Sequence, residues 1–145
     1  GQAAALAAER MSDADVAALA RLLDRHSRQK GLAQGVGYYQ ETHDEDFHVR
    51  IVQGSGNARL AQMLTGDLYY LLRVYRYRSS TTPGRARDAL EEHRAIAQAI
   101  AARDPARAEA AMRAHLRNAR ASAERQLAAE GEIARAPPGG RTGPA

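Results

Sequence analysis

No stretch of this chain alternates apolar and polar residues with β-branched enrichment, so it offers no material for a sheet. Alanine, leucine, glutamine, glutamate and arginine, all good helix formers, fill nearly every segment instead. The chain therefore reads as all-α, an antiparallel bundle of about six helices separated by turn residues. Its 145 residues suffice for one domain with one core. Cysteine is absent, which excludes disulfides, thiolate metal sites and a cysteine nucleophile. The apolar runs are too short to cross a bilayer, so no membrane partner is expected. No charged-then-apolar leader opens the chain, and its expected location is the cytoplasm. It begins on Gly1, which reads as a processed or cut start.

Turn signals place the helices. A short one covers about Gln2 to Glu9. Ser12 caps the second, with Asp13 and Asp15 complementing the exposed amides of its first turn, and it fades near Lys30. Gly31, Gly35 and Gly37 form the connection to a third helix from about Tyr38 to Gln53. The fourth runs from Asn57 to about Ser79, with Leu60, Leu64, Leu68, Leu71 and Tyr75 as its core stripe. The fifth spans about Arg85 to Arg103. Asp104-Pro105 then caps and starts the sixth, which runs to about Glu130. Residues 1–133 form the folded domain, and the Pro- and Gly-rich residues 134–145 are expected to be a disordered tail.

The formal charge is +4, which invites a nucleic-acid reading. The arginines are dispersed among 17 acidic residues, however, and Tyr75-Arg76-Tyr77-Arg78 is the one aromatic-basic stretch. The 32 alanines and 20 arginines beside a single lysine read as codon bias. Direct nucleic-acid binding by this segment is therefore not expected.

The chemistry concentrates in four residues. Asp44 and His48, four apart on a predicted helix, lie on one face and are able to share an ion. His93 stands eleven residues before Asp104 and His115 eleven after it, so an antiparallel hairpin brings them level. Both lie on predicted buried stripes, and two level imidazoles pointing inward are either core residues with hydrogen-bond partners or metal ligands. One carboxylate and three imidazoles suit zinc first, with nickel, manganese, cobalt or iron as alternatives. His26 and His43 read as solvated surface residues. Asp46 reads as a bystander, or as a group that orients a ligating imidazole.

Asp44-x-x-Phe47-His48, Ser55-Gly56-Asn57, Glu92-His93-Arg94-x-Ile96 and Met112-Arg113-x-His115-Leu116 follow one another in order. That succession resembles the FCD domain, the effector-binding domain of FadR-type GntR-family bacterial transcription regulators. The resemblance covers about Ala3 to Leu127. It implies a helical bundle holding a metal on Asp44, His48, His93 and His115, and a small carboxylate effector bound beside it. It also implies a homodimer, and control of operator DNA through an N-terminal winged helix that this chain does not show. Val49 stands where the family usually has a basic residue, with Arg50 one place later. Asn57 matches a family asparagine and reads equally as a helix cap. Arg73 and Arg76 are candidates for a bidentate grip on the effector carboxylate.

The leading expectation is thus a non-enzymatic sensor in which a hydroxy acid, a sugar acid or a similar ligand reaches open positions on the ion. A metal-dependent hydrolase and a metal-free helical interaction module are the alternatives. Ligating imidazoles must be neutral, so metal affinity is expected to fall below about pH 6.

Overall fold

The computed structural model describes residues 1–33, 37–38, 46–80, 82 and 84–135. Eight α-helices account for most of them: α1 (Gln2–Arg10), α2 (Asp13–Ser27), α3 (Lys30–Ala33), α4 (Phe47–Gly54), α5 (Ala58–Gln62), α6 (Tyr69–Ser80), α7 (Arg85–Ala101) and α8 (Pro105–Arg135). A single π-helical turn over Met63–Asp67 joins α5 to α6. There is no strand among the described residues, so the domain is an all-α bundle.

The caps fall where the sequence placed them. Ser12 Oγ accepts the Asp15 amide, and Asp104 Oδ1 accepts the Arg107 amide at the start of α8. Helices α7 and α8 form an antiparallel hairpin, closed by Arg103 with φ +55°. The Arg103 guanidinium reaches the carbonyls of Ala8 and Met11, taking up the free end of α1. This ties the hairpin turn to the α1–α2 corner. Gly84, with φ +80°, makes the left-handed approach to α7 that a β-carbon would disfavour.

Small residues let α1 lie close on the hairpin: Ala4, Ala7 and Ala8 are fully buried, facing the buried Ala99, Ala108 and Met112. Leu19, Leu22 and Leu23 of α2 pack on α7, where Ile96 and Ile100 have no exposed surface. Burying each such aliphatic side chain contributes about 1.5–3 kcal/mol.

Two helix boundaries need correction. The third helix does not start near Tyr38 but at Phe47, because Asp46 has extended backbone and its carboxylate caps the amides of His48 and Val49. Helix α8 continues through Gly131 to Arg135 rather than ending at Glu130. Of the expected tail, residues 136–145 lie outside the described residues.

The largest correction concerns the fourth helix. Leu68, Leu71 and Tyr75, expected in the core, are 38%, 53% and 53% exposed. The cause lies upstream. Thr65 Oγ1 donates to the Ala61 carbonyl, and the Leu68 amide bonds five residues back to Met63. This π turn adds one residue to the helical count and shifts the inward face by one position. The inward set becomes Tyr69, Arg76, Ser79 and Ser80, and Arg76 is thereby turned toward α4.

Candidate metal centre

Three histidines on three helices converge. His48 comes from the first turn of α4, His93 from the middle of α7 and His115 from α8. One ring nitrogen from each lies within 4.8 Å of the others. The Nε2 atoms of His48 and His115 are 3.1 Å apart. The His93 and His115 rings lie 4.6 Å centre to centre, as their equal distance from the Asp104 turn predicts. Phe47 stacks on His93 at 4.3 Å and 21° between planes, packing against the face of that ring.

Each imidazole also has a partner behind it. His115 Nδ1 meets Glu92 Oε2 at 2.7 Å. Glu92 also accepts from Arg85, itself buried, and from Asn118, both at 2.7 Å. His93 Nδ1 meets the Tyr38 hydroxyl at 3.1 Å, and that hydroxyl meets His26 Nδ1 at 2.7 Å. His48 Nδ1 lies 2.9 Å from Arg76 Nη1 and 3.4 Å from Asp46 Oδ1. Arg76 grips Asp46 with both prongs at 2.8 Å.

Burial sets the electrostatics. It lowers His48 to about 4, a value the Asp46 carboxylate raises only in part while Arg76 and His115 add to the lowering. Burial likewise holds His93 well below the ordinary imidazole value, with the neighbouring His115 adding to the effect. For Glu92, burial acts upward, but hydrogen bonds from His115, Asn118 and Arg85 bring it down to about 2. Asp46 follows the same pattern: burial acts upward, and His48 and Arg76 hold it well below the carboxylate range. Burial raises Tyr38 above the ordinary phenol, with the Asp46 charge adding to it, so the hydroxyl stays protonated.

These residues suit a transition metal ion. Two nitrogens 3.1 Å apart fit on one ion at ~2.0–2.1 Å bonds. His93 Nε2 is buried without a hydrogen-bond partner among the described residues, an arrangement that ligation would satisfy. His115 has its outer nitrogen on Glu92 and His93 has its own on the Tyr38 hydroxyl, as ligating imidazoles commonly do, whereas Arg76 stands at the outer nitrogen of His48.

The sequence expectations divide accordingly. The structure brings together His48, His93 and His115. Asp44 and His43 lie outside the described residues. Asp44 does not share a helical face with His48 by i, i+4 spacing, since the helix that carries His48 starts at Phe47. His26, expected on the surface, is 1% exposed and bonded to Tyr38. Asn57 caps α5, accepting the Leu60 amide. Arg76 borders the cluster, whereas Arg73 lines a separate shallow groove between α6 and α8. Glu92 and Tyr38 as outer partners were missed. Glu92 adjoins His93 in sequence, and helical geometry turns it about 100° away, onto His115. Tyr38 itself is not helical, so helical periodicity does not place it.

One cavity of about 730 Å³ opens beside His48 and Arg76, between α1, α4, the π turn, α6 and α8. The FCD domain family model matches residues 1–118. The chain belongs to the FCD domain family. A search of curated proteins finds no match. FCD domains are regulatory, and in this FCD domain the histidine cluster is compatible with metal binding. No helix among its described residues is long and apolar enough to cross a membrane.

Proposed function

We propose that this FCD domain senses a small organic carboxylate at a transition metal ion, zinc in the first instance, held by His48, His93 and His115 with Asp44 as fourth ligand. The single observation that carries the reading is the convergence of three imidazole nitrogens, one of them buried and otherwise unpartnered, at the edge of a cavity. A bound ion supplies a Lewis-acidic centre with open positions for a carboxylate. Glu92, Tyr38 and Asp46 keep the imidazoles oriented, and the low proton affinity of His48 and His93 keeps both neutral near pH 7. Arg76 stands at the cavity with its cation directed at the same end. Within a GntR-type regulator, occupancy would shift the population between two arrangements of a homodimer, and a winged-helix domain would carry that shift to operator DNA.

Hydrolysis is less well supported. Glu92 is the carboxylate nearest the cluster among the described residues, and at about 2 it is a weak base near neutral pH. A metal-free interaction module leaves the buried His93 Nε2 without a role.

Elemental analysis of untagged protein tests the proposal, beside an Asp44→Ala/His93→Ala variant. About one equivalent of metal in the wild type and none in the variant is expected. No metal, and no uptake on reconstitution, would overturn it.

A further inference from the structure

The cavity beside the histidine cluster has one polar end and an otherwise apolar wall. His48 and Arg76 mark the polar end. Leu64, Leu72, Met112, Leu116 and Leu127 supply much of the rest, with Tyr69 between the two zones, its ring 5.9 Å from the Arg76 guanidinium carbon. Tyr69 and Tyr75 carry hydroxyls among the lining residues, while three of the other polar groups bond to each other or to the backbone. Arg120 and Glu124 pair with each other at 2.7 Å, and the Thr65 hydroxyl donates to Ala61. With most of the lining carbon, a polyhydroxylated acid would place most of its hydroxyls against carbon, a loss of roughly tenfold or more in affinity for each one left unpaired. A hydrocarbon body would gain about three- to fourfold for each methylene it buries. About 730 Å³ is within the range of drug-sized ligand sites, far more than acetate fills.

We infer that the ligand of this cavity is a monocarboxylic acid with a hydrocarbon body, its carboxylate at the His48–Arg76 end and its body along Leu64, Leu72, Met112, Leu116 and Leu127. The inference rests on the metal-sensor reading and narrows it, against the hydroxy or sugar acids that the sequence suggested. One carboxylate is expected, at the polar end, because Arg120, the other arginine lining the cavity, is paired with Glu124.

The test is calorimetry on cobalt(II)-loaded protein of measured metal content, with acetate, butanoate, hexanoate and octanoate against malate and gluconate. The visible cobalt bands report carboxylate arrival at the ion independently of heat. Octanoate is expected to bind roughly a hundredfold tighter than butanoate, and more tightly than malate or gluconate. Leu72→Gln and Leu116→Gln should flatten that series while leaving metal content and the acetate band shift unchanged. Loaded protein that shows the acetate shift but a flat series, or prefers gluconate, overturns this inference and leaves the sensor reading standing. Protein that takes up no metal and shows no shift with any acid overturns both. Equal octanoate affinity in metal-free His93→Ala protein would also overturn it, because the carboxylate would not be read at the cluster.

Discussion

Nε2 of His48 and Nε2 of His115 face each other at 3.1 Å, and two such nitrogens share one proton. The neighbouring groups assign it. Glu92, held ionised, accepts a hydrogen bond from the Nδ1–H of His115, which leaves His115 Nε2 bare. Arg76 donates to His48 Nδ1, so His48 carries its proton on Nε2 and gives it to His115. The ion-free protein thus holds one proton between two of the proposed ligands. Glu92→Gln removes the charge that orients His115 while keeping an acceptor. Metal affinity should fall ten- to a hundredfold, read by competition with a chromophoric chelator. Wild-type affinity in that variant would remove Glu92 from the site.

The Asp46–Arg76 pair should matter as much to stability. Asp46 is fully buried, and Arg76→Ala would leave its charge unpartnered. Removing one member of a buried pair typically costs ~3–5 kcal/mol, and the part-exposed Arg76 puts this case toward or below the lower end. Asn retains the cap on α4, so Asp46→Asn combined with Arg76→Ala should recover part of the loss. Urea unfolding of the two variants checks this. A double variant no more stable than Arg76→Ala alone would mean the buried charge is not the cause.

Much of this fold could be read from residues whose effect is local. Ser12, Asp104 and Pro105 act within one turn of themselves, and their caps stand where expected. The level of His93 and His115 needed only equal rise on two arms of a hairpin. What escaped depends on choices that propensity does not encode. The π turn at Thr65 rotates every later residue of its helix, which exposes Leu71 and turns Arg76 inward. Thr65-Gly66 was the available signal, a hydroxyl able to take the i−4 carbonyl beside a residue that relaxes the backbone. His26 was unreadable for another reason: its buried partner Tyr38 follows a Gly-rich stretch, and no helical period relates the two residues.

Tyr38 bridges His26 and His93 through one hydroxyl, 2.7 Å from Nδ1 of the first and 3.1 Å from Nδ1 of the second. Tyr38→Phe leaves two buried ring nitrogens without that partner. The ion-free protein should lose about 1–3 kcal/mol, measured by urea unfolding in chelator. Metal affinity should fall about tenfold, because the His93 ring loses its outer anchor. Unchanged values in both measurements would reduce the bridge to a contact without energetic weight.

Acid should destabilise the ion-free protein earlier than its carboxylates alone would suggest. Below an ordinary imidazole value of 6.5, the unfolded chain takes up protons that folded His48 refuses until about pH 4. The unfolded state then binds more protons, so stability falls as pH falls through that window, by on the order of 3 kcal/mol for His48. His93 acts in the same direction. Glu92 extends the loss lower, from its ordinary value of 4.5 toward about 2. With His48 neutral down to about pH 4 and His93 shifted in the same direction, these two do not impose the limit on metal affinity first expected from free imidazoles. Thermal unfolding in chelator from pH 7.5 to 4 should show the midpoint falling once pH drops below about 6.5. A His48→Phe variant should show a shallower fall. A midpoint that stays flat from pH 7 to 4.5 in ion-free wild-type protein would mean these imidazoles are not buried neutral, and the proposed ligand set would lose its electrostatic basis.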